Sequence, residues 1–151
     1  MYSVLLTMHS WVRWAALLVG AGATLNAFWY RGEATLPPRG KRWDSVFMLA
    51  VDLQALLGFV LYFGVSPFTR DALSNVPMAM RDPHLRFFVF THVAAMLLAV
   101  AAVRAGRVFA MSERARARGT GRYVCFGVAL MSMIAGVPWP GLTYGRPLFR
   151  W

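Results

Sequence analysis

Four apolar runs, separated by short basic connections, leave this chain few folds to adopt. The first extends from about Val4 to Trp29 and the second from Ser45 to Val65. The third extends from Phe87 to about Val103 and the fourth from Tyr123 to about Val137. A helix needs roughly 20 residues to cross a hydrocarbon layer roughly 30 Å thick. Backbone amides in that layer must be bonded within their own segment, so each run is expected to be a helix. Asp82-Pro83 extends the third run backwards, as an N-cap followed by proline at the first helical position. The fourth run is the shortest, stopped by Val137-Pro138-Trp139-Pro140-Gly141, which no helix continues through. The expected fold class is all-α, a four-transmembrane-helix up-down bundle in a single domain over residues 1–151.

Composition agrees with a membrane class. Of 151 residues, 58% are hydrophobic and only 15% charged, and the mean hydropathy is +0.50, whereas a soluble domain carries more charge. The net charge of +10 does not point to nucleic acid, because the cations sit between apolar runs rather than in a basic groove with interleaved aromatics. The first and third connections hold ten of them: Arg31, Arg39, Lys41, Arg42, Arg104, Arg107, Arg114, Arg116, Arg118 and Arg122. The second connection and the tail hold five: Arg70, Arg81, Arg86, Arg146 and Arg150. The positive-inside rule then sets connections one and three in the cytoplasm and both termini outside, N-out and C-out. Tyr2, Trp11, Trp14, Trp29, Tyr30, Trp43, Trp139 and Tyr144 suit aromatic belts. Ala16, Gly20 and Thr24 in the first run, and Ala95 and Ala99 in the third, are spaced for close helix packing. The basic stretch from Ser112 to Arg122 suits an exposed turn near anionic head groups. No basic n-region precedes the first run, which is also too long for a signal-peptide core, so it is expected to be retained. The single cysteine, Cys125, sits in an apolar run and reads as a small buried hydrophobe.

The informative residues are the polar ones inside these runs: His9, Arg13, Asp52 and His92. His9 and His92 each lie five residues inside their apolar runs, so at a rise of roughly 1.5 Å per residue both fall roughly 7–8 Å below the same outer surface. In an up-down bundle the first and third helices are diagonal and face each other across the core. Two imidazoles so arranged can ligate one haem iron from both sides. The alternatives are two unrelated interior histidines, a proton relay, a quinone contact or another metal. A haem would need cations at its propionates, and Arg86, roughly 9 Å above His92, suits that role as well as it suits an interfacial arginine. An intramembrane arginine needs a partner, and Asp52, within about a turn of Arg13 in depth, is expected to form a buried ion pair with it. Gln54 lies nearby on another face of the second run. Met78, Met80 and His84 offer soft ligands suited to Cu(I), although gap-filling is the more ordinary use of methionine. No nucleophile elbow, phosphate-binding loop, zinc-protease motif or carboxylate pair is present, so any chemistry would come from a cofactor.

The segments MHSWVRW, DLQALLGFVLYF, LRFFVFTHVAAMLLAVAAVRAGR and GVPWPGLTYGRPLFR, in this order, resemble a group of small bacterial four-helix membrane proteins labelled cytochrome b-like. The resemblance spans nearly the whole chain. Its pattern is matched at His9, Arg13, Trp14, Gln54, Leu57, Gly58, Arg86, Phe87, Phe88 and His92, and in the tail at Pro138, Trp139, Pro140, Arg146, Pro147 and Arg150. Some relatives carry a histidine near Asp52 and an acid at the position of Thr91. A scheme needing three core histidines is thereby excluded here, and no acid is available next to His92 to orient it.

The resemblance implies a multi-pass protein of the bacterial cytoplasmic (inner) membrane. Together with the histidine pair it leads to a first expectation: an electron-transport cytochrome with one b-type haem on His9 and His92 near the periplasmic face. Arg86 would meet the propionates, and quinone or a periplasmic redox protein would be the partner. A second expectation is a cofactor-free accessory subunit of a larger respiratory or photosynthetic complex, with the outer tail PWPGLTYGRPLFRW docked to its partner subunits. In neither is the chain an independent enzyme.

Overall fold

The computed structural model describes residues 1–33, 35–114 and 117–149, the side chains of 117 and 118 excepted. Arg116 and Arg150, and the side chain of Arg118, named above for the charge balance and the tail, lie outside what is described. All regular structure among the described residues is helical. Six helices follow in order: α1 (Tyr2–Trp29), α2 (Pro38–Val65), α3 (Pro67–Ser74), α4 (Val76–Arg81), α5 (Pro83–Ala110) and α6 (Gly119–Ala135). Three of them, α1, α2 and α5, are long and apolar enough to cross a membrane, at 28 residues each, while α6 is shorter.

Local chemistry explains the boundaries. Proline at the start of α2 opens the helix seven residues before the apolar run at Ser45, which carries Asp44 into a helix rather than a connection. Asp82 caps α5, its Oδ1 accepting from the Leu85 amide at 2.8 Å. The outer connection, read from sequence as a loop, contains α3 and α4. Each has a side-chain cap followed by proline: Ser66 Oγ accepts from the Thr69 amide, and Asn75 Oδ1 from the Met78 amide. Three segments among the described residues are π-helical turns: Val60–Val65 in α2, Phe87–Thr91 in α5 and Ala117–Gly121 at the start of α6.

The four long helices form a ring in which α1 packs on α2 and α6, and α5 packs on α2 and α6, leaving α1 and α5 diagonal. Small residues let them approach: Ala16, Gly20, Ala23 and Ala27 line the buried stripe of α1, and Ala99, Ala102 and Gly106 that of α5. A Cβ on Gly20 would stand 2.7 Å from the Phe47 ring, so α1 and α2 meet this closely only because glycine is there. Phe47 and Phe126 are fully buried and meet edge to face at the centre of the core. After α6 the chain turns at Gly141, whose φ of 90° suits glycine, and folds back over the bundle. Tyr144 stacks on Phe87 at 3.8 Å between ring centres, and Phe149 stacks on Trp14.

Candidate functional site: a histidine pair in an apolar cavity

Where α1 and α5 face each other, the ring of helices does not close. A cavity of about 460 Å³, lined almost wholly by apolar groups, occupies the space, and His9 and His92 reach into it. Their ring centres are 6.2 Å apart with the planes at 68°. The depth count from sequence thus brings together two residues 83 positions apart. Two of the three π-helical turns contribute to the lining, through Leu61, Tyr62 and Phe63 on α2 and Phe88 on α5. The Tyr62 hydroxyl donates to the Val89 carbonyl at 3.3 Å and ties the two turns together. Such turns break the register of an α-helix and are frequent at functional sites.

The two rings are held differently. His92 Nδ1 donates to the Gly136 carbonyl at 2.7 Å, an acceptor freed because α6 ends there. Its Nε2 makes no hydrogen bond among the described residues. His9 Nε2 is 3.1 Å from Gln54 Nε2 and accepts from that amide, which leaves His9 Nδ1 and Gln54 Oε1 buried with no hydrogen-bond partner among the described residues. Gly58 lies against the same ring: a Cβ there would stand 3.5 Å from His9 Cε1. Buried polar atoms without partners are rare in folded chains and mark a place where another group is accommodated.

Two of the cationic assignments change. Asp52 does not pair with Arg13. Its Oδ1 accepts from Arg104 Nη2 at 2.8 Å, because Asp52 is turned about 200° around α2 from Gln54 and faces α5 rather than α1. Arg13 Nη2 donates instead to the Leu148 carbonyl at 2.8 Å and to Ser10 Oγ at 3.2 Å, beside the Trp14 indole, which donates to the same carbonyl. Arg86 is exposed and outside the cavity lining. It donates to the Met80 carbonyl at 3.4 Å, since the first turn of α5 points it at α4. The cations that line the cavity are Arg13 and Arg146, the latter lying over the Phe88 ring at 4.0 Å. Arg146 belongs to the tail, and only the fold-back of that tail brings it here. His84 packs against Phe88 and Phe68, while Met78 and Met80 are exposed. Among the described residues no group of three or more His, Cys, Asp or Glu could hold a metal ion by itself.

At the opposite end of the bundle a second polar cluster appears that the sequence reading assigned to connections. Arg122, 1% exposed, grips the fully buried Asp44 through Nε (3.0 and 2.9 Å) and Nη2 (2.6 Å). The same Nη2 donates to Asn26 Oδ1 at 2.9 Å, and Arg107 approaches Asp44 at 3.7 Å. One residue from each of the four long helices meets there, which makes the cluster a register pin for the ring.

Compared with known proteins, the chain matches no family model, no curated protein and no solved structure. Its class therefore rests on its own architecture: an all-helical chain with three helices able to cross a membrane and a histidine pair in an apolar cavity.

Proposed function

We propose that this chain is a small electron-carrying cytochrome of the bacterial inner membrane, resembling the cytochrome b-like group, with one b-type haem held between His9 and His92. The observation that carries the reading is the 6.2 Å between the imidazole centres. A metal–nitrogen bond of roughly 2 Å puts a ring centre about 3 Å from the metal, so two rings on one ion stand about 6 Å apart. His92 already has the second-sphere arrangement such a ligand needs, with Nδ1 bonded to a carbonyl and Nε2 free. The apolar cavity suits a flat macrocycle, and Arg13 and Arg146, rather than Arg86, are the cations available to its carboxylates. His9 fits less completely, because ligation through Nε2 requires Gln54 to release it. When bound, haem would supply reversible one-electron transfer; the chain's own part would be to hold it through His9 and His92, limit water and neutralise the carboxylates through Arg13 and Arg146. All four long helices cross the bilayer in this reading, with the histidine end outside and quinol or a periplasmic redox protein as partner.

An accessory subunit would have a closed core and an apolar, small-residue face turned outward, with the tail free to dock to a partner. The open cavity and the tail's contacts to Arg13, Trp14 and Phe87 weigh against it. The deciding experiment is a dithionite-reduced minus oxidised spectrum of the protein expressed with haem supplied, alongside His9→Ala and His92→Ala. A sharp low-spin b-type signal lost in both variants is the expected result. A folded, colourless protein overturns the proposal.

A further inference from the structure

The outer surface of the bundle carries an ion pair that ties Asp52, inside the apolar run of α2, to Arg104, near the end of α5 that the membrane reading sets in the cytoplasm. Arg104 on α5 and Asp52 on α2 are bonded at 2.8 Å, with side chains 58% and 37% exposed. Around them the same surface presents Leu56 and Phe59 from α2 and Leu97 and Val108 from α5. Asp52 lies at the middle of the 28-residue α2, two turns inward of the buried Asp44. Ionisable groups at such depth almost always face the bundle interior or a water-filled space. The Asp44–Arg122 pair obeys that rule, and the Asp52–Arg104 pair does not.

The exposed pair is also under-bonded. A guanidinium carries five N–H donors and a carboxylate about four acceptor sites. Among the described residues one hydrogen bond joins Arg104 to Asp52, and no other group of the chain bonds either. Lipid tails offer neither donors nor acceptors to fill the remainder.

We propose that the α2–α5 face is the interface of a homodimer, in which Arg104 of each copy also binds Asp52 of the other. The result is a neutral ring of two carboxylates and two guanidiniums, sealed from lipid by Leu56, Phe59, Leu97 and Val108. The patch is self-complementary, with acid and base side by side, and a two-fold axis requires this because each residue meets the other's counterpart. With the axis along the membrane normal, both copies keep one topology and all four groups share one depth. A different protein would have to carry a matching acid and base at that depth; a second copy carries them by construction. The proposal rests on the membrane reading, and Phe59 and Leu97, which also line the cavity, put its seam beside the histidine site.

The test co-expresses two differently tagged chains in a Cys125→Ser background, one with Asp52→Cys and the other with Arg104→Cys, and oxidises them in native membranes. A disulfide-linked species carrying both tags is expected at ten times or more the yield of a control with Leu25→Cys on α1, which is exposed but remote from the seam. In mild detergent the unaltered protein should show twice the 16.9 kDa chain mass. The D52N/R104Q variant should fall to the single mass with unchanged helical content. Cross-linking at the control level, or a mass that D52N/R104Q leaves unaltered, overturns the proposal.

Discussion

Gln54 bonds His9 through Nε2 at 3.1 Å, while His92 keeps Nε2 free and bonds Gly136 through Nδ1. In the proposed haem site only one of the two rings would therefore have to give up an existing bond to act as a ligand. A typical hydrogen bond contributes about 0.5–1.5 kcal/mol net, so Gln54→Leu should tighten haem retention about 2- to 12-fold. The rate of haem transfer to an excess of apomyoglobin measures this, and unchanged or faster loss would show that Gln54 supports ligation rather than competing with it. A second residue-scale expectation concerns Arg122, which is 1% exposed against a fully buried carboxylate. Arg122→Met strands Asp44 without its main cation, and removing one partner of a buried pair costs about 3–5 kcal/mol. Unfolding in a graded detergent titration should show that loss, and a smaller one for D44N/R122Q, in which no charge is stranded. His9 and His92 were legible in the sequence because depth follows from counting residues along a helix. The partners of Arg13 and Asp52 were not, because depth does not say which face of α2 a side chain occupies, and Asp52 sits about 200° from Gln54.

Several helix contacts in this bundle set a glycine against an aromatic ring. A Cβ on Gly106 of α5 would come within 2.5 Å of the Phe126 ring on α6, whereas one on Gly127 of α6 would find only the Thr24 methyl at 4.0 Å. Gly106→Ala should destabilise by about 1–3 kcal/mol through overpacking, and Gly127→Ala should be near neutral, read in the same detergent titration. Equal effects would mean that α5 and α6 can separate freely. Helix existence was legible from the apolar runs, and the start of α5 from Asp82-Pro83. Three features were missed for different reasons. The N-terminal extension of α2, opened by Pro37-Pro38, is polar and so lies outside the apolar run that marked the helix. Helices α3 and α4 are short and their caps, Ser66 and Asn75, were readable only as local turn chemistry. The π-helical turns depend on tertiary contacts such as Tyr62 to Val89 and leave no periodic signature.

At the scale of the molecule, helix length and the fold of the tail bear on how many times the chain can cross a bilayer. Helices α1, α2 and α5 are each 28 residues, roughly 42 Å, and exceed the hydrocarbon thickness. Helix α6, Gly119–Ala135, spans roughly 25 Å and falls short of roughly 30 Å. The tail shares its end of the ring: Pro138 is buried, Trp139 Nε1 donates to the Ile134 carbonyl at 3.0 Å, and Arg146 returns its amide to the Pro138 carbonyl at 3.1 Å. This closed loop satisfies carbonyls that a bare helix end would expose, so the helix and tail together can complete a fourth crossing. The packing of α6 against both α1 and α5 sets it alongside two helices long and apolar enough to cross. The count decides the sidedness of the ends, since four spans put both termini on one side and three put them on opposite sides. The cations from Arg31 to Arg42 and from Arg104 to Arg122 cluster at the other end of the bundle, so the positive-inside rule predicts that the shared side is the outer one. Alkaline phosphatase fused to either terminus should therefore be active, and fused within the α5–α6 connection inactive. An active N-terminal fusion with an inactive C-terminal one would reduce α6 to a helix that does not span, and would leave the Asp44–Arg122 pin without a membrane-crossing partner.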